Sequence, residues 1–104
     1  MFKAIILLKR REDMSLQEFS DWWLGVHAQA ARALEGVCGA TFNLVAGDGN
    51  GPYDGVSELW FESQAAFESA YASGHGRAVA ADSMAHVSRR ERMFVVEHVL
   101  VERG

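Results

Sequence analysis

Residues 2–8 read Phe-Lys-Ala-Ile-Ile-Leu-Leu, an almost unbroken apolar run closed by Lys9, Arg10 and Arg11. The run is far short of the roughly 20 apolar residues that a membrane span needs. Its lack of alternation marks a strand covered on both faces. Residues 93–102 have the same two-sided apolar character, apart from Glu97 and His98. A layer of helices covers only one face of a sheet. The other face needs a cover too, and a chain of 104 residues has little left to supply it, because small domains bury a lower fraction of their surface. The simplest cover is a second copy of the same sheet, which predicts a homodimer.

The elements between these two strands follow from their own patterns. Ser15 with Glu18 three residues on makes a capping box, and Leu16, Phe19, Trp23, Val26 and Ala30 recur at helical spacing. That helix is expected to run to about Leu34 and stop at Gly36. Residues 37–46 alternate as a strand, and Gly47, Gly49, Gly51 and Pro52 mark a loop. Residues 55–62 predict a third strand. Ser63 caps a helix carrying Ala66, Phe67, Ala70 and Tyr71, which breaks at Ser73-Gly74-His75-Gly76 before a further helix over about 77–86. The last strand is expected over 93–102. The order β-α-β-β-α-β is the split β-α-β arrangement of ferredoxin-like domains, an α+β fold with helices on one face of a four-stranded antiparallel sheet. Residues 1–104 read as one domain.

Charge and cysteine content narrow the function classes. The net charge is -4, which disfavours nucleic acid and anionic membrane as partners, since both call for a basic surface. The basic clusters Lys9-Arg10-Arg11 and Arg89-Arg90-Glu91-Arg92 are expected in solvated turns. The chain has one cysteine, Cys38, so no internal disulfide forms, in keeping with a cytoplasmic location. Residues 1–8 lack the charged start and small-residue cleavage site of a signal peptide.

The apolar strand, the basic loop and Met14-Ser15-Leu16-Gln17-Glu18-Phe19 resemble the start of the EthD family of dimeric α+β barrel proteins. The segment Trp22-Trp23-Leu24-Gly25-Val26-His27 is similar to that family's aromatic pair, three variable positions and histidine. Ser73-Gly74-His75-Gly76-Arg77 with Asp82 downstream resembles its small-residue break before a helix bearing an aspartate. The resemblance covers nearly the whole chain. It implies a dimeric barrel and kinship with methylmuconolactone methylisomerase, a cofactor-free lactone isomerase. Cofactor-free monooxygenases of polyketide quinones and haem-dependent enzymes are related barrels. By the isomerase comparison His27 matches the helix histidine, and Leu44-Val45-Ala46-Gly47 also looks similar. A tyrosine of the isomerase's second strand falls near Ala40, which has no hydroxyl, a departure from that chemistry.

His27 is the candidate acid–base residue. It stands four residues after Trp23, so the spacing puts both on one side of the first helix, and histidine can exchange a proton near neutral pH without a cofactor. The plain alternative is a partly buried histidine bonded to a backbone carbonyl or a side chain that only supports packing. Trp22, Trp23, Phe42, Trp60, Phe67 and Tyr71 are the aromatic candidates for a pocket. Most of them suit a plain core, and for Trp23 and Phe67 that is the better reading. Trp60 and Tyr71 carry polar atoms that want partners and are the expected wall residues. Asp82 is the candidate to orient a histidine, or else it pairs with Arg77 or Arg89. The predicted substrate contacts are thus Trp23, Phe42, Trp60, Tyr71 and Asp82. His75, His86 and His98 show no metal-motif spacing, Cys38 reads as a small buried hydrophobe, and no nucleotide, phosphate or nucleophile-elbow motif is present.

The expected function is a cofactor-independent enzyme acting on a small cyclic or aromatic-derived metabolite, a lactone isomerase or quinone oxygenase in type. Its alternatives are a non-catalytic binding or accessory protein for a small apolar ligand and a haem-dependent relative.

Overall fold

A computed structural model describes residues 1–104. Four strands, β1 (Phe2–Arg10), β2 (Gly39–Leu44), β3 (Gly55–Phe61) and β4 (Val87–Val95), form one sheet in the order β2-β3-β1-β4. Every neighbouring pair is antiparallel. The first helix is composite. It comprises α1 (Leu16–Asp21), a π-helical turn (Trp22–His27) and α2 (Ala28–Arg32), and it is followed later in the chain by α3 (Gln64–Ala72) and α4 (Gly74–His86). This is the α+β ferredoxin-like arrangement.

Local signals place the helix ends. The Glu18 N–H donates to Ser15 Oγ at 3.1 Å, and the Ser15 N–H donates to Glu18 Oε1 at 2.8 Å, closing the capping box. Ser63 Oγ accepts from the Ala66 N–H and Ser73 Oγ from the Gly76 N–H. The break between α3 and α4 is therefore a single residue, Ser73, and the glycines and His75 belong to α4. Past the first helix the chain turns at Gly36, whose φ of +81° suits glycine.

Alternation along the strands builds the core. Ala4, Ile6 and Leu8 of β1 and Leu59 and Phe61 of β3 are buried with Phe19, Trp22, Trp23, Phe67 and Val79 of the helices. Trp23 is fully buried and presses its ring edge onto Gly55, where a Cβ would stand 2.8 Å from the indole. The intervening residues face away from the helices. Ile5 and Leu7 are in register with Glu58 and Val56 of β3, and Ile5 also with Met93 of β4. No helix covers that side, so β1 is apolar on both faces as its sequence predicts.

The last strand differs from expectation. It spans Val87–Val95 rather than 93–102. The reason is pairing. Val95 already lies opposite Lys3 near the start of β1, so later residues have no strand to bond. Val96, Leu100 and Val101 are consequently more than four-fifths exposed. The basic cluster at 89–92 is strand, not a turn. Lys9 and Arg10 likewise end β1, and both pair with buried Asp54. Cys38 is exposed rather than buried, because it precedes the edge strand β2.

Candidate active site

The π-helical turn sets the position of the candidate histidine. An α-helix advances about 100° per residue, so a four-residue step drifts by about 40°. Phe19, Trp23, His27 and Ala31 are all buried at that step. The wider turn, in which the Ala28 N–H donates to the Trp23 carbonyl, absorbs the drift. It brings His27 inward and leaves Val26, expected on the inner face, 65% exposed. It also sets His27 beside Trp22, five residues back, with ring centroids 4.9 Å apart and the planes tilted by 37°. Such turns are frequent at functional sites.

Asp82 of α4 holds the histidine. Its Oδ2 lies 2.9 Å from His27 Nδ1, and it also accepts from the Trp22 Nε1–H at 3.1 Å. A carboxylate only accepts, so Nδ1 carries the proton and Nε2 is left as the basic nitrogen. His86 stacks on Trp22 at 4.2 Å and donates from Nδ1 to the Asp82 carbonyl. Burial holds the His27 pKa below its usual value, and Asp82 opposes that only in part. The neutral ring is thus the resting form near pH 7.

His27 lines a cavity of about 20 Å³ between the helices and the sheet. That is room for about one water. Trp23, Phe42, Tyr71, Ser57, Ser83 and Arg90 share its wall with aliphatic side chains. Phe42 stacks on Trp23 at 4.5 Å. Phe42 and Ala31 also line an outer groove of about 280 Å³ with Leu24, Ala28, Arg32 and Ala40, so Phe42 stands between groove and cavity. Trp23 Nε1–H is buried with no partner. Desolvation raises the pKa of Tyr71, which stays protonated.

The structure therefore brings His27, Trp23, Phe42, Tyr71 and Asp82 together, and Trp60 stands apart. Trp60 lies on the opposite sheet face, under the Lys3 ammonium at 4.7 Å, in a separate groove with Thr41, Asn43 and Glu58. Strand parity explains this, since Leu59 and Phe61 face the core and Trp60 between them cannot. Phe67 is core. His75 is exposed and bonds the Ala30 carbonyl, and His98 follows the last strand. Arg90, Ser57 and Ser83 were not among the sequence candidates. The alternation of Arg90, Arg92 and Phe94 is the signal for Arg90.

The family model for the EthD domain matches residues 11–89. Among solved structures, an EthD family protein from Bacillus halodurans superposes with a TM-score of 0.82 at 22% identity, over 94% of this chain and 99% of that one. A dimeric ferredoxin-like protein of unknown function from Thermobifida fusca gives 0.76 at 14% identity, over 92% and 90%. SnoaB, a cofactor-independent oxygenase from Streptomyces nogalater, gives 0.70 at 18% identity, over 97% of each chain. No curated protein matches the sequence. With its family model matched from the basic loop to β4, the chain belongs to the EthD family.

Proposed function

We propose that the protein is a cofactor-independent enzyme that moves a proton on a small cyclic or aromatic-derived molecule, with His27 as acid and base. The observation that carries this reading is the buried His27, fixed through Nδ1 to Asp82 and lining a cavity through which no other residue's ion pair runs. In the proposed step Nε2 takes a proton from a carbon next to a carbonyl. The electron pair of that C–H bond moves into the carbonyl and gives an enolate. The imidazolium is stabilised by the Asp82 carboxylate; where a β,γ double bond makes the enolate a dienolate, it returns the proton to the γ-carbon as the carbonyl re-forms and the double bond shifts to the α,β position, which isomerises the molecule. The resemblance of the fold to a cofactor-independent oxygenase supports chemistry of this class without a bound group. A ring-sized molecule enters when Phe42 swings aside and joins the cavity to the outer groove, a combined space near the lower limit of ordinary ligand pockets.

A screen of lactones and quinones, run on wild type and His27→Ala, tests the reading. General acid–base help is typically worth about 100- to 10,000-fold, so His27→Ala should lose about two orders of magnitude in turnover, and His27→Gln a similar amount. Turnover of a confirmed substrate at the wild-type rate by His27→Ala would end it. Saturable binding with no turnover by wild type would favour an accessory, ligand-holding role instead.

The same reading includes a homodimer formed through the sheet face away from the helices. Ile5, Leu7, Val56 and Met93 give that face its apolar character with no helix above it, and two similar folds are described as dimeric. Multi-angle light scattering at micromolar concentration should give twice the mass of 11.5 kDa. A stable monomer there would rule the interface out.

A further inference from the structure

The cavity holds a positive charge with no counterpart. Arg90 lies opposite Leu8 in the β1–β4 register, so its side chain shares the helix-facing side of the sheet with Leu8. It is half-buried and lines the cavity with His27 and Tyr71. The side-chain hydrogen bonds and ion pairs of β4 belong to Ser88, Arg89 and Glu91, and none to Arg90. The ionisable groups around it are Tyr71, Arg92 and His27, none of them a carboxylate. Desolvation is the largest influence on its guanidinium, opposed only by Tyr71 and by no carboxylate. A guanidinium cannot escape by losing its proton, and withdrawing it partly from water without a charged partner is unfavourable. The Tyr71 hydroxyl makes no hydrogen bond to the protein either, and the Trp23 Nε1–H is orphaned in the same wall. Of these three donors the Trp23 Nε1–H is fully buried, while Arg90 and Tyr71 are half-buried and make no hydrogen bond to the protein.

The geometry points to Arg90 as the anchor for an anionic ligand, a small molecule bearing a carboxylate or an ionised enol, seated beside His27. The planar fork of a guanidinium matches a carboxylate with two parallel N–H···O bonds. Tyr71, kept neutral by burial, donates to the same anion. A ligand anchored there presents its neighbouring carbon to His27. If that carbon is the acidic one, Arg90 also stabilises the negative charge that proton removal places on the enolate oxygen. This inference deepens the proposed function and rests on it for the placement of the reacting carbon. The anion site itself does not depend on turnover.

The test uses 2-furoate, a five-membered-ring carboxylate, and its neutral methyl ester as probes. Binding is followed by saturation-transfer NMR and tryptophan fluorescence on the full chain. Wild type should bind 2-furoate saturably and the ester at least about tenfold more weakly, the worth of hydrogen bonds to a charged group. Arg90→Met should lose about tenfold or more for 2-furoate and leave the ester unchanged. Arg90→Lys should keep part of the affinity, because the charge remains and the fork does not. His27→Gln should retain 2-furoate binding, which separates the anion site from the catalytic reading. Equal affinity of wild type and Arg90→Met for 2-furoate would overturn the inference, as would no binding by wild type up to about 20 mM, a range in which even a weak charge-assisted contact registers. Loss of turnover in His27→Gln with 2-furoate binding indifferent to Arg90 would leave the proposed function standing and this inference fallen.

Discussion

Arg10 and Arg90 sit near one another on paired strands and are treated in opposite ways by the fold. Arg10 ends β1, where Leu8 and Arg10 lie opposite Arg90 and Val87 of β4. The Arg10 guanidinium donates to Asp54 Oδ1 at 2.8 Å and to the Met14 carbonyl at 2.8 Å. Asp54, whose side chain is 1% exposed, also accepts from Lys9 and from the Arg10 backbone N–H. Its own backbone ties β1 and the end of β2 together, donating to Leu8 and accepting from Val45. Lys9 in turn donates to the carbonyls of Gly49 and Gly51. Every charge there has a partner, and the group clamps the 45–54 loop onto the sheet. Across β1, Arg90 has none. A satisfied cluster holds structure, while an unsatisfied one within a cavity is strain kept for something outside the chain.

The contrast can be broken from its structural end first, where the largest effect is expected. Asp54→Ala removes a carboxylate from between two cations and strips three hydrogen bonds at once. Breaking such a buried pair typically costs about 3–5 kcal/mol. Because Lys9 and Arg10 keep some contact with water, about 3 kcal/mol is expected, read as a fall in the urea midpoint at constant slope. Arg90→Met should change stability by less than about 0.5 kcal/mol or raise it, since it replaces an unpaired guanidinium by an apolar chain in an apolar wall. Similar losses for the two variants would mean that Arg90 has a structural partner after all, and the contrast would collapse.

Much of this division was legible in the sequence, and the misses have physical causes. His27 was found from its four-residue spacing after Trp23, Tyr71 from a hydroxyl on an apolar helix face, and Asp82 from the family resemblance. The capping box at Ser15 and the two-sided strand β1 were legible from local pattern alone. Arg90 was hidden by its neighbours. Four charged residues in a row, 89–92, look like a solvated turn until strand parity sorts them, with Arg90 and Arg92 on one face and Arg89 and Glu91 on the other. Trp60 was misplaced for want of the same parity test. The β4 boundary was out of reach because it depends on where β1 begins, a long-range pairing that local hydrophobicity does not report. The π-helical turn left a trace in the four-residue spacing of Phe19, Trp23, His27 and Ala31, a longer period than an α-helix sustains.

The finest distinction between the two regions is the state of His27, and a titration sharpens it. Burial and three ionisable groups bear on the ring. Desolvation lowers its pKa most, Asp82 of α4 raises it, and His86 of α4 and Arg90 of β4 lower it further. The net displacement is downward from 6.5. The sign then follows from linkage. Below 6.5 the unfolded chain binds a proton that the folded ring resists, so stability rises with pH through this window. The contribution is complete above 6.5 and is lost as pH falls through the folded value. Asp82→Asn removes the one influence that favours the imidazolium, so the His27 pKa should fall further. It also removes the fixed acceptor for Nδ1–H. An amide can present its NH₂ to the ring and drive the proton to Nε2, the tautomer that cannot act as base. Long-range ¹H–¹⁵N NMR of the imidazole should show wild-type His27 as the Nδ1–H form with a pKa under 6.5, and Asp82→Asn with a lower pKa and a shifted tautomer. Any activity should lose its acid limb below 6.5 in wild type, and Asp82→Asn should lower the plateau rather than only move the limb. A wild-type ring titrating at or above 6.5, or one whose pKa rises on Asp82→Asn, would show that burial does not govern His27, and the cavity would then be wetter and its unpaired arginine less strained than the comparison with Arg10 requires.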